Sequence, residues 1–168
     1  MTKKNIVLIG FMGSGKTFTA REISKVLKRK VYSTDVLIEK KEKTKIRNIF
    51  ASKGEAYFRK QEAKVVSLVS KKKNAVIDCG GGVILNPDNI KNLKKSGVLV
   101  YLRTSATWIY KRIKSDKNRP LVNVKNPMAR IKYLLNQRRK LYAKADVKVK
   151  TDGRAPKEVA LEILKLIA

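Results

Sequence analysis

The chain has 168 residues, 43% of them hydrophobic, which fits one domain with a core of its own and excludes wholesale disorder. It carries no histidine and a single cysteine, Cys79, which excludes imidazole bases, histidine metal ligands and an internal disulfide, and fits a reducing compartment. The formal net charge of +28 fits either an anion binder or a lysine-rich solvated surface; the lysines are spread along the chain, which favours the second and adds nonspecific nucleic-acid binding at low salt.

Met1-Thr2-Lys3-Lys4 leads straight into an apolar run over Ile6–Ile9. The run is too short for a signal-peptide core and ends at a glycine loop, so it reads as a buried parallel strand behind a mature cytoplasmic start. Thr17–Lys28 follows as a helix, with Ala20, Ile23, Val26 and Leu27 at helical spacing. Val31-Tyr32 is a second strand, ending at Ser33-Thr34-Asp35. Ile46–Lys72 is mostly helical, with Ile49, Phe50, Phe58, Val65, Val66 and Val69 facing inward. Ala75–Asp78 is a third strand, ending at Gly80-Gly81-Gly82, and Val98–Leu102 a fourth. Thr107–Lys114 is a helix, Asp116–Asn126 a polar stretch containing Pro120, and Pro127–Lys144 a further helix. Val147–Val149 is a fifth strand and Ala155–Ile167 a final helix. Alternating strands and helices predict an α/β fold, a parallel sheet covered on both faces, with ligands beyond the carboxyl ends of its strands. No run approaches the roughly 18 apolar residues of a membrane span, and no linker divides residues 1–168, so one domain is expected.

Gly10-Phe11-Met12-Gly13-Ser14-Gly15-Lys16-Thr17 matches G-x-x-x-x-G-K-[ST] in full, between a strand and a helix. Glycines let the backbone wrap closely, so that its N–H groups point at phosphate oxygens, and the following helix adds its positive end. In such a loop Lys16 reaches the β- and γ-phosphates and the Thr17 hydroxyl meets Mg²⁺. Nucleotide binding is the reading; the motif alone leaves ATPases, GTPases and kinases open. Val76-Ile77-Asp78, a hydrophobic strand ending in a carboxylate, has the shape of a second metal-facing element in such proteins.

Beyond this loop, Thr34-Asp35-Val36-Leu37-Ile38-Glu39, Gly54-Glu55-Ala56-Tyr57-Phe58-Arg59, Gly80-Gly81-Gly82, Arg119-Pro120-Leu121 and Gln137-Arg138-Arg139-Lys140-Leu141-Tyr142 follow in order. On these segments the chain resembles the shikimate kinase family over nearly its whole length. The resemblance implies a three-layer α/β/α P-loop kinase fold with a central five-stranded parallel sheet. It implies transfer of phosphate from ATP to the 3-hydroxyl of shikimate, with Mg²⁺, in aromatic amino-acid biosynthesis. It assigns Asp35, Lys16 and Arg119 to catalysis, Arg119 from a mobile lid at about residues 116–126. It assigns Arg59, Arg138, Asp35 and the backbone of Gly80, Gly81 and Gly82 to shikimate. Gly13, Ser14, Gly15, Lys16, Thr17 and Phe18 would hold the nucleotide, with Arg112 and Pro156 on either side of adenine. A cytoplasmic monomer with no membrane attachment and no specific nucleic-acid partner is the expectation.

Each of these residues also has a plainer reading. Asp35 suits a helix N-cap, Arg59 and Arg138 are two of 41 basic residues, Arg119 can be a solvated loop charge, and the glycine triplet can be a turn. Glu62, at i+3 from Arg59, is placed to orient it, and Cys79 reads as a small residue under the loop. The chain departs from the family where Asp-x-Asp is usual: Ser33 replaces the first acid. Asp78 is the candidate to replace it, with Thr17, at the metal. Another small-metabolite kinase, a nucleic-acid binder on a P-loop scaffold and a weakened or engineered homologue stand as alternatives.

Overall fold

The computed structural model describes residues 4–116 and 121–168. In order these form β1 (Asn5–Ile9), α1 (Lys16–Leu27), β2 (Val31–Ser33), α2 (Thr34–Glu42), α3 (Ile46–Val69), β3 (Val76–Asp78), a 3-10 turn (Val83–Leu85), α4 (Pro87–Ser96), β4 (Gly97–Arg103), α5 (Ala106–Ile113), α6 (Pro127–Tyr142), β5 (Val147–Lys150) and α7 (Pro156–Leu166). The strands pair in parallel in the order β2-β3-β1-β4-β5, the five-stranded sheet expected.

Side chains of a strand alternate between its faces, and β1 shows what each face meets. Ile6 and Leu8 pack with Ala20 and Ile23 of α1 and with Val159, Ala160 and Ile163 of α7. Val7 and Ile9 pack with Val65, Val66 and Val69 of α3, Leu93 of α4 and Tyr142 of α6. All five residues of β1 are buried, at about 1.5–3 kcal/mol for each large aliphatic side chain. This anchors the loop that follows. A third cluster joins Phe11 of that loop to Ile109 and Ile113 of α5, Val122, and Ile131 and Leu134 of α6. β1 lies between β3 and β4, and the chain leaves it to both sides, which opens a crevice at the strands' carboxyl ends.

Three elements differ from the sequence reading. Residues 34–42 are a helix, and Asp35 lies inside its first turn rather than at its cap; the cap is Ser33, whose Oγ accepts from the Val36 amide at 3.4 Å. The long helix is broken at Gly54, whose φ of 79° and ψ of 170° are non-helical, and it ends at Val69. Finally, α4 and the turn before it were not expected. Asn86 caps α4 by accepting from the Asp88 amide at 2.9 Å, and Pro87 occupies its first position, where a missing N–H costs nothing.

Candidate active site

The site is built on the carboxyl ends of β1, β2 and β3. Gly13 and Gly15 hold φ of 75° and 88°, a region open to glycine at little cost, and so curl residues 10–17 into a cradle. Lys16 is buried; its ammonium donates to the carbonyls of Gly10 (2.9 Å) and Phe11 (3.0 Å) and to Ser14 Oγ (3.4 Å). The Thr17 hydroxyl, at the start of α1, donates to Asp78 Oδ2 at 2.7 Å. Asp78 is 4% exposed. Burial pushes its carboxyl up, against the pull of Lys16 and the Thr17 hydrogen bond.

Asp78 and Ser33 are direct neighbours in the β2–β3 register. One residue past Ser33, buried Thr34 accepts the Gly80 amide on its Oγ1 at 2.8 Å, tying the glycine triplet to α2. Asp35 follows. Burial raises its carboxyl to about 6, with Lys16 pulling it down and Asp78 pushing it up. A side chain at residue 80 would bring a Cβ within 2.5 Å of Asp35 Oδ1 and 3.1 Å of Glu62 Oε1. Only glycine lets backbone pass so close to two carboxylates.

Past the kink at Gly54, α3 presents Arg59 between two acids. Its Nη1 donates to Glu62 Oε2 at 2.9 Å, and its Nε and Nη2 to Glu55 Oε1 at 3.3 and 3.1 Å. Glu62 is 1% exposed, and its Oε1 has no hydrogen-bond partner. Burial raises its carboxyl, opposed first by Arg59. From α6, Arg138 is 3% exposed. It donates to the Gly81 carbonyl at 3.1 Å and lies 5.3 Å from the Phe11 ring centre, and it forms no ion pair among the described residues. Tyr142, stacked on Tyr101 at 4.3 Å, donates to the same carbonyl at 3.4 Å.

These groups meet in a cavity of about 500 Å³. Its polar lining includes Asp35, Arg59, Glu62, Gly80–Gly82 and Arg138, with further charged side chains from Glu39, Lys45, Arg47 and Asp116; Met12, Val36, Phe50, Phe58 and Leu121 form apolar walls. Such a pocket, with two guanidiniums in its lining, suits a small ligand that carries an anionic group. On the far side of the loop, Arg112 of α5 donates to the carbonyls of Gly13 (3.0 Å) and Thr151 (3.3 Å). Pro156 opens α7, just beyond Thr151. Phe18 is 61% exposed, with the Arg21 guanidinium over its ring. Arg119 and Pro120 lie outside the described residues; Asp116 and Leu121, on either side of them, line the cavity. Cys79 is fully enclosed, and burial pushes its thiol well up, which fits packing rather than nucleophilic chemistry.

A family model described as shikimate kinase matches residues 12–168. A shikimate kinase of Thermodesulfovibrio yellowstonii is 47% identical over 162 residues, covering 96% of this chain and 94% of that one. The chain belongs to the shikimate kinase family. A solved shikimate kinase from Acinetobacter baumannii, in complex with shikimate, superposes with a TM-score of 0.96 at 38% identity, covering 99% of this chain and 93% of that one. The Aquifex aeolicus enzyme gives 0.86 at 40% identity, with 97% and 95% covered. Against this shikimate kinase frame, the sequence reading missed two positioning residues. Thr34 and Glu55 both stand in quoted motifs. Glu55 was legible from its i−4 spacing to Arg59, whereas the Thr34 bond to Gly80 spans 46 residues and leaves no local signal.

Proposed function

We propose that the protein transfers the γ-phosphoryl group of Mg-ATP to the 3-hydroxyl of shikimate, giving shikimate 3-phosphate and ADP. The observation that carries this reading is Arg138. A guanidinium 3% exposed, lining the cavity, bonded to the Gly81 carbonyl and attracted to buried Glu62 without a described ion pair, keeps N–H donors for a bound anion. With Arg59 it offers two planar forks for one carboxylate, the geometry arginine supplies and lysine does not. Asp35 lines the same cavity beside Gly80. There its ionised carboxylate accepts the hydroxyl proton while the hydroxyl oxygen bonds to the γ-phosphorus and the bond to ADP breaks.

In this reading Lys16 exchanges its loop carbonyls for phosphate oxygens, and the N–H groups of residues 13–18 cradle the phosphates. Arg119 adds positive charge to the transferring group, and Arg112 with Pro156 holds adenine. Thr17 and Asp78 supply only oxygen donors, and no cluster of three histidine, cysteine or acidic side chains suited to a metal exists among the described residues. That donor set fits Mg²⁺, which is commonly held by one or two protein oxygens plus phosphates and water. Bound there, the ion would neutralise charge on the phosphate oxygens. Asp78 would then carry the role that an acid at residue 33 has elsewhere in the family, and Ser33 would serve as the α2 cap. Asp78→Ala is expected to raise the Mg²⁺ concentration for half-maximal rate about tenfold or more; an unchanged Mg²⁺ dependence removes Asp78 from the metal.

The reading extends to a cytoplasmic monomer with no specific nucleic-acid partner; no described helix is long and apolar enough to cross a membrane. The deciding experiment is ADP release from ATP and Mg²⁺, with and without shikimate, at salt high enough to suppress nonspecific binding. ADP formed only with shikimate is expected. Release that ignores shikimate, or responds to another hydroxy acid instead, overturns the assignment.

A further inference from the structure

The single tryptophan of the chain, Trp108, lies outside every motif used so far. It is half-buried on α5, one helical turn before Arg112 and on the same face. The Arg112 guanidinium carbon is 5.8 Å from its ring centre, and Lys111 Nζ is 5.0 Å away. On another side the ring meets the loop between β5 and α7: a Cβ built at Gly153 would stand 3.5 Å from Trp108 Cζ2.

That loop is fastened to the start of α5 on both flanks. The hydroxyls of Thr104 and Thr151 share a 2.6 Å hydrogen bond, and the Ser105 amide donates to Asp152 Oδ1 at 2.9 Å. Ser105 also caps α5, accepting the Trp108 amide at 3.4 Å. Arg112 completes the assembly by bridging the phosphate-binding loop, at Gly13, to Thr151. Two backbone carbonyls hold its guanidinium nitrogens, and the guanidinium stands over the indole ring. Arginine stacks well on aromatic faces, and a guanidinium plane pinned in this way is a ready surface for a purine ring.

We propose that Trp108 is a positioning residue for the adenine nucleotide: it backs Arg112 and braces the Thr151–Ala155 loop, so that the base enters a preformed slot. This rests on the reading of Arg112 and Pro156 as the adenine contacts. It goes beyond that reading by assigning nucleotide affinity to a side chain that itself need not touch the base. Removing the indole leaves Arg112 with its two carbonyl bonds and an unsupported face, and opens space beside Gly153.

The test compares W108A, W108F and R112A with the parent in steady-state kinetics, with intrinsic fluorescence of the parent titrated with ADP. Since Trp108 is the only tryptophan, its emission reports on this slot alone. W108A is expected to raise the KM for ATP about three- to tenfold, the span a supported cation–π contact provides, with the KM for shikimate and kcat held. W108F is expected to restore most of the loss, and ADP to change the parent's emission saturably. If R112A raises the KM for ATP while W108A does not, Arg112 works without its backing and the proposal fails, though the adenine reading stands. If neither variant moves it, both fail. If W108A raises the KM of ATP and shikimate together, Trp108 is a general packing residue and the proposal fails. Emission indifferent to saturating ADP also overturns it, whatever the variants' stability.

Discussion

Asp35 is the residue whose environment most shapes chemistry. With its carboxyl raised to about 6 by burial, the proposed base loses its proton-accepting form as pH falls through that value. The rate is therefore expected to drop below about pH 6, and with no histidine in the chain no imidazole titration overlays it. A pH–rate profile checks this. The same shift has a stability side. A carboxyl whose folded value lies above the unfolded one favours the folded state below about pH 4, and that advantage is lost as pH rises to about 6. Above that, the charged group costs about 1–3 kcal/mol. Asp35→Asn should thus lower kcat about a hundredfold or more while unfolding at higher denaturant than the parent at pH 7. The gap should close toward pH 4. Glu62, raised in the same direction, adds to the parent's slope. At Arg138, Arg138→Lys keeps charge but loses the fork. The KM for shikimate should rise about tenfold or more, with the KM for ATP unmoved.

At the scale of elements, the break in α3 re-aims the helix that carries Glu55, Arg59 and Glu62. Gly54 sits at φ 79° and ψ 170°, with nothing within 4 Å of where a Cβ would go. The obstacle to a side chain is therefore backbone strain alone, about 1–3 kcal/mol. Gly54→Ala should lower the melting temperature by about 2–10 °C and raise the KM for shikimate, as seen by thermal unfolding and kinetics. The kink was not legible in the sequence, because hydrophobic residues keep helical spacing on both sides of it. By contrast, the phosphate loop and the five strands were legible, since each rests on a short pattern or an apolar run; of the motif arginines, Arg59 and Arg138 line the cavity. α2 was hidden because Ser33-Thr34-Asp35 reads as a strand end, and α4 because Asn86-Pro87 reads as a turn. In fact Asn86 caps that helix and Pro87 starts it, a helix signal as well as a turn signal. The Thr17–Asp78 bond joins residues 61 apart and needed the sheet order to be visible.

For the whole molecule, charge is the dominant fact. Thirteen acidic residues cannot pair 41 basic ones. Several of the described ion pairs also use well-exposed lysines, such as Lys25–Glu22 and Lys45–Glu39, and contribute little. Self-repulsion should therefore prevail, so the melting temperature should rise between about 50 and 500 mM salt as repulsion is screened. A falling melting temperature would mean that surface pairs matter more than net charge. Association with nucleic acid should disappear over the same range. Because Ser33 and Asp78 stand side by side in the sheet, an acid can pass from one strand to its neighbour without leaving that place. On the proposed metal role of Asp78, a lineage that first gained Asp78 could then lose the acid at 33 and never lack an acid at this pair of positions. The reverse order passes through an enzyme with neither. Relatives with acids at both positions are the expected waypoint, and ancestral reconstructions along this branch should find Asp78 older than Ser33.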